Sequence, residues 1–141
     1  LARGGDAGQF YRPHGIVFDS NDIMYITDMR NSRVQALDKD FDLVTQWGSY
    51  GTGPGQFSLT FPGIDIYEKE GLVFVVDKLS TNVQIFDKNG KFISKFGSKG
   101  TGDGQFKRPE DIAVDPQGRV FVCDTGNSRI QIFSKTNDLI T

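Results

Sequence analysis

The sequence predicts an all-β chain, an arc of a β-propeller built from three four-stranded antiparallel blades. Three observations predict it. Gly-Gln-Phe recurs at Gly8-Gln9-Phe10, Gly55-Gln56-Phe57 and Gly104-Gln105-Phe106, at intervals of 47 and 49 residues. An Asp closing an apolar run recurs at Asp28, Asp77 and Asp124, and a Gln inside an apolar run recurs at Gln35, Gln84 and Gln131, both at intervals of 49 and 47. Each period also holds the same short runs of β-branched and aromatic residues, too brief and too alternating for helices. Self-similarity at a period near 50 residues is the signature of a repeat architecture.

The elements follow in order. The first period contains Gly15–Phe18, Ile23–Ile26, Val34–Leu37 and Leu43–Trp47. The second contains Ile64–Tyr67, Leu72–Val76, Val83–Phe86 and Phe92–Phe96, and the third Ile112–Val114, Val120–Val122, Ile130–Phe133 and the opening of a fourth run at Leu139-Ile140. Turn residues separate the runs, as in Asp19-Ser20-Asn21-Asp22, Asp87-Lys88-Asn89-Gly90 and Asp115-Pro116-Gln117-Gly118. Longer glycine-rich connectors, such as Gly51–Gly55 and Gly100–Gly104, join one meander to the next. A four-stranded sheet with two apolar faces cannot bury both alone, and radial stacking of copies solves this. The expected organisation is one partial propeller over residues 1–141, with blades at about 11–48, 60–97 and 108–141.

Composition excludes several classes. Lys plus Arg number 16 against 18 Asp plus Glu, and a net charge of −2 gives no bulk attraction for nucleic acid or an anionic membrane. No apolar run approaches the ~18 residues that would span a bilayer. The single cysteine, Cys123, excludes an internal disulfide framework and a thiolate zinc cluster, and its apolar run marks it as a core residue. The chain opens Leu-Ala-Arg-Gly-Gly, with no initiator Met and no signal-peptide pattern, and reads as an excised piece. The glycine-rich connectors lack the Lys-Ser/Thr of a phosphate-binding loop and precede no helix, so no cofactor is expected.

The repeat resembles the NHL repeat. The third copy carries the resemblance best, with Gly104-Gln105-Phe106, Pro109, Ile112-Ala113-Val114-Asp115 and the run from Asp124-Thr125-Gly126-Asn127 through Arg129-Ile130-Gln131-Ile132-Phe133. The first copy matches at Pro13, Asp28, Asn31 and Arg33, whereas the second has Ser80 in place of the Asn, Asn82 in place of the Arg, and one residue fewer after Pro62. The resemblance implies a propeller of about six blades, so three would leave an apolar face at each end of the arc. The remaining blades of a longer chain, or a second copy, would close the ring.

The connection entering the first strand of a blade and the turn between its second and third strands open at one end of a meander. Candidate partner-binding residues at that end are His14, Arg30, Asn31, Lys78, Lys107, Arg108, Glu110 and Asn127. Periodic residues read as scaffold. Asp28, Asp77 and Asp124 are expected to accept backbone N–H bonds, Arg33 and Arg129 to tie a turn to a carboxylate, and Gln9, Gln56 and Gln105 to bond backbone near each blade joint.

The resemblance implies a non-catalytic scaffold with a protein partner, as in tripartite-motif ubiquitin ligases. It also implies RNA binding as an alternative, through Arg12, Arg30, Lys78, Lys107 and Arg108 with Tyr11 to stack a base. A third reading is a zinc-dependent propeller lyase, but that site needs several histidines and the chain has one. No catalytic or metal-binding residue is assigned.

Overall fold

The computed structural model describes residues 1–141 and is almost entirely β-structure. The first blade is β1 (Pro13–Phe18), β2 (Met24–Asp28), β3 (Arg33–Leu37) and β4 (Leu43–Trp47), ordered β1-β2-β3-β4 and antiparallel throughout. A glycine-rich connector follows, pinned by a short parallel pair, β5 (Ser49–Tyr50) with β6 (Gln56–Phe57). The second blade is β7 (Ile64–Tyr67), β8 (Leu72–Asp77), β9 (Asn82–Asp87) and β10 (Phe92–Phe96), again a meander. A second parallel pair, β11 (Ser98–Lys99) with β12 (Gln105–Phe106), leads to the third blade. That blade has β13 (Asp111–Val114), β14 (Val120–Asp124) and β15 (Arg129–Phe133), and Leu139 bridges Phe133 where a fourth strand would begin. The parallel pairs, although β6 and β12 are the Gln-Phe of the repeated marker, and the 3-10 turns at Met29–Asn31, Glu68–Glu70 and Thr125–Asn127 are not assigned from the sequence.

The burial of each strand follows from its place in the arc. Strands β8 and β9 are buried at nearly every position because a blade covers each face of their sheet. Strand β10 lies outermost, and only Phe92, Ser94 and Phe96 turn inward. Tyr25, Val34 and Ala36 of the first blade pack against Ile64, Val73, Val75 and Phe86 of the second. One blade on, Phe74, Val76, Val83 and Ile85 pack against Ile112, Val120, Val122 and Phe133. Phe57 and Phe106 of the Gly-Gln-Phe markers are fully buried at these two junctions. Burying each such side chain stabilises by about 1.5–3 kcal/mol, so the junctions hold the arc together.

The inner strands β1, β7 and β13 line the axis, and glycine allows their approach. A Cβ on Gly15 would stand 2.4 Å from the Pro62 carbonyl oxygen, and one on Gly63 would stand 2.9 Å from the Asp111 Cα. No side chain fits either gap.

The β3–β4 turn departs from good turn chemistry. Phe41 has φ 67°, where the matching turn of the second blade has Gly90 (φ 86°) and that of the third has Asn137 (φ 71°). All three donate the same closing bond, from Phe41 N to Asp38 O, Gly90 N to Asp87 O and Asn137 N to Ser134 O. A bulky L-residue held left-handed costs about 1–2 kcal/mol, and Phe41 is too exposed to recover much of it by packing. Phe41→Gly is therefore expected to raise stability by about 0.5–1 kcal/mol, read as a higher urea midpoint at unchanged slope.

Candidate functional site

Each blade joint is organised around a buried carboxylate. Asp28 is fully buried, and its Oδ1 accepts the Tyr11 N–H at 2.7 Å. Its Oδ2 accepts Asn31 Nδ2 and Arg33 Nε, both at 2.9 Å, and Gln35 Nε2 at 3.3 Å. Those donors belong to the incoming connector, the 3-10 turn and strand β3. Arg33 and Gln35 continue into the connector, donating to the Gln9 carbonyl at 2.9 and 2.7 Å, while Asn31 reaches the Gly4 carbonyl at 2.8 Å. Gln9, Gln56 and Gln105 close their own loops, accepting from the N–H groups of Asp6, Gly53 and Gly102. One carboxylate thus fixes three chain segments.

The third blade repeats this clasp atom for atom. Asp124 accepts from Lys107 N at 2.7 Å, Asn127 Nδ2 at 2.8 Å and Arg129 Nε at 2.9 Å. The second blade, with Ser80 and Asn82 where the others have Asn and Arg, solves the problem differently. Asp77 accepts both the N–H and the hydroxyl of Ser58, together with the Ser80 N–H at 3.0 Å. Ser58 is the residue that sequence reasoning missed. Its only signal is that it stands where Tyr11 and Lys107 follow the other two Phe markers.

The candidate partner-binding residues divide into two groups. Asn31 and Asn127 lie in the clasp, with their amide N–H groups taken up by Asp28 and the Gly4 carbonyl, and by Asp124 and the Gly100 carbonyl. His14, Arg30, Lys78, Lys107, Arg108 and Glu110 lie at one end of the arc. Backbone bonds from Arg30 to Tyr11, Lys78 to Thr60 and Gly126 to Lys107 tie each β2–β3-type turn to the connection entering its own blade. The two loop sets therefore form one face.

At the axis on this face, His14, Pro62, Glu110 and Asp111 line a cleft of about 410 Å³. The Lys78 ammonium, from the second blade, pairs with the Glu110 carboxylate of the third. That hydrogen bond holds the Glu110 carboxyl below the ordinary range against the opposing effect of burial, and Arg108 and His14 add to it. On the loops of this face Arg30, Lys107 and Arg108 are exposed, as are the apolar Tyr11 and Leu79. The Arg3 guanidinium lies over the Tyr11 ring, 4.7 Å from its centroid.

The opposite end of the arc carries a separate ionic network. Lys88 Nζ lies 3.1 Å from Asp19 Oδ2 of the preceding blade and 2.6 Å from Glu68 Oε1. Nowhere in the chain do three His, Cys, Asp or Glu side chains gather within reach of one metal ion, and no helix is long and apolar enough to cross a membrane.

The clasp makes stability depend on pH. Burial pushes the Asp124 carboxyl up, but the Lys107 N–H, Asn127 and Arg129 outweigh it and hold the group below its ordinary value. A carboxylate depressed in the folded state contributes stability that is present above its unfolded pKa of about 3.9 and is lost as pH falls through the folded value. Asp124→Asn is expected to lower stability at pH 7 by about 2–4 kcal/mol and to flatten its decline below about pH 4, measured by urea unfolding across pH.

No curated protein sequence matches the chain. Solved structures similar in fold include a putative exported protein from Bacteroides fragilis, with TM-score 0.71 and 16% identity, covering 99% of this chain and 39% of that one. Virginiamycin B lyase from Staphylococcus aureus matches with TM-score 0.68 and 14% identity, over 90% of this chain and 39% of that one. An auxiliary nutrient binding protein from Bacteroides thetaiotaomicron matches with TM-score 0.67 and 14% identity, over 92% of this chain and 35% of that one. The chain thus spans about two fifths of the length of the structures it resembles. The NHL repeat model matches residues 10–37, in the first blade, and the model described as DUF5128, 6-bladed beta-propeller, matches residues 63–140. With that match extending over more than half of its length, and with a buried aspartate organising each of its three blades, the chain belongs to this six-bladed β-propeller family.

Proposed function

We propose that the protein is a non-catalytic scaffold whose loop face binds a partner polypeptide through acidic and apolar side chains. The observation that carries this reading is the composition of the face. Arg30, Lys107 and Arg108 are exposed, free of ion pairs and interspersed with the exposed Tyr11 and Leu79. Basic groups steer an acidic segment and set its register, while apolar side chains supply contact area. The clasp supports the reading from below, since it holds every loop of this face on a rigid blade.

The axial groups favour binding over proton transfer. Glu110 is engaged by Lys78 and stays ionised at neutral pH, so it offers no proton there. The lyase among the structures of similar fold carries its activity on a chain more than twice as long, and likeness at 14% identity speaks to fold alone. RNA binding is disfavoured because the aromatic available for stacking, Tyr11, already has Arg3 over its ring.

Fluorescence titration with a labelled oligoglutamate peptide tests the proposal, with oligolysine and oligouridine as comparison probes. Oligoglutamate is expected to bind best and to weaken with salt, and Arg30→Ala combined with Arg108→Ala should weaken it about tenfold. Oligolysine binding equally well, or oligouridine binding more tightly, would overturn the reading.

A further inference from the structure

The three clasps differ in charge. In the first and third blades a guanidinium stands beside the buried carboxylate, Arg33 against Asp28 and Arg129 against Asp124. Asp77 is equally buried and accepts three hydrogen bonds, but all three come from neutral donors on Ser58 and Ser80. Lys78, next to it in the chain, is committed to Glu110.

The two arginines also hold the glycine-rich connectors. Arg33 Nη2 donates to the Asp6 and Gln9 carbonyls, both at 2.9 Å, and Arg129 Nη2 to the Gly102 and Gln105 carbonyls at 2.6 and 2.9 Å. Asn31 and Asn127 add bonds to the Gly4 and Gly100 carbonyls at 2.8 and 2.9 Å. Counted back from the Gln of each marker, the same carbonyls in the second blade belong to Gly51, Gly53 and Gln56.

The second blade's connector follows the same course as the third's. Gly51 and Gly55 have φ 156° and 73°, against 159° and 70° at Gly100 and Gly104. The Gly53 N–H meets Gln56 Oε1 at 3.1 Å, as the Gly102 N–H meets Gln105 Oε1 at 3.0 Å. The carbonyls thus keep their arrangement, but each is one donor short. Asn82 holds the arginine's register, opposite Asp77 as Arg33 is opposite Asp28 and Arg129 opposite Asp124. It is only 7% exposed; its Nδ2 donates to the Ser80 carbonyl at 3.3 Å, and its Oδ1 has no donor.

A buried polar oxygen without a partner calls for a water or an ion. Charge decides between them, because a buried carboxylate without a countercharge favours a cation over a neutral molecule. We propose that this cradle binds a monovalent metal cation, sodium or potassium, in the place that a guanidinium takes in the other two blades. The Gly51, Gly53 and Gln56 carbonyls and Asn82 Oδ1 are its ligands, and Asp77 supplies the balancing charge. Carbonyl oxygens replace the hydration shell of such an ion. One carboxylate among neutral oxygens matches one positive charge, whereas calcium affinity rises with the number of charged ligands. The site is independent of the partner-binding reading of the loop face.

Lys95 is the competing source of charge. It stands across from Gln84 on the outer strand, as Gln46, which accepts from Arg33 Nη1 at 3.0 Å, stands across from Gln35. Its side chain is exposed.

The test is urea unfolding in the chlorides of sodium, potassium and tetramethylammonium, the last too large for the cradle, at one ionic strength. Sodium or potassium is expected to raise the folding equilibrium constant saturably, about tenfold once the ion stands about tenfold above its dissociation constant. Asn82→Arg, which brings its own guanidinium, should abolish the difference between salts. Asn82→Asp, which adds a charged ligand, should enlarge it, and this variant decides alone if Asn82→Arg does not fold. Equal stability in all three salts would overturn the proposal and assign the cradle to water. A difference that appears only in Lys95→Ala would overturn it in favour of the Lys95 ammonium. A difference that both Asn82 variants leave unchanged would place the ion elsewhere, and saturation by calcium at far lower concentration than sodium or potassium would overturn the monovalent assignment.

Discussion

The architecture rests on a carboxylate that has been taken out of water. An ionised Asp buried without partners would cost several kcal/mol, so the fold is stable only where donors converge on it. At Asp28 and Asp124 those donors come from the 3-10 turn and strand that follow directly and from a connector 17 residues upstream. Satisfying the charge therefore brings three segments into one arrangement. The positions of the loops on the outer face follow from that arrangement.

The second blade shows that the constraint is the charge rather than any one donor set. Its Asp77 is as buried as the others but lacks the Asn and Arg partners. The Ser58 hydroxyl and two backbone N–H groups take their place. Asn82, standing where an arginine would be, leaves its side-chain oxygen buried without a hydrogen bond. The substitution of partners keeps the carboxylate satisfied while releasing the loop face above it from the repeat. Lys78 projects from that turn and spans to Glu110 of the next blade, an interaction the other junction does not have. Departure from the repeat and the appearance of an unrepeated polar contact coincide in one blade.

Much of this was legible in the residues. Gly-Gln-Phe marked the joints because its three residue types meet three separate demands there: a left-handed backbone at Gly8, Gly55 and Gly104, a loop-closing amide, and a ring for the junction. The meander was legible because alternation repeats every two residues and turn chemistry interrupts it. Other features were not. Asn31 and Asn127 look like loop residues open to a partner, and only their positions beside Asp28 and Asp124 draw them into the clasp. The parallel pairs β5–β6 and β11–β12 are two residues long and set in glycine-rich segments, too short for alternation to mark them as strands even though β6 and β12 are the Gln-Phe of the marker. Phe41 in a left-handed turn runs against local preference, so no reading of propensity would place it there.

The residues alone determined the period, the strand-and-turn order within it, and which positions serve every copy. These are local or repeated properties, and a linear text records them. Tertiary structure alone decided which loops share a face, that Lys78 meets Glu110 across 32 residues, and that Lys88 bridges to Asp19 of the neighbouring blade. Those meetings depend on the rotation of one blade against the next about the axis. That rotation is set by side-chain volumes packed between sheets and by the bare backbone contact at Gly15 and Gly63, quantities that exist only once the blades are stacked.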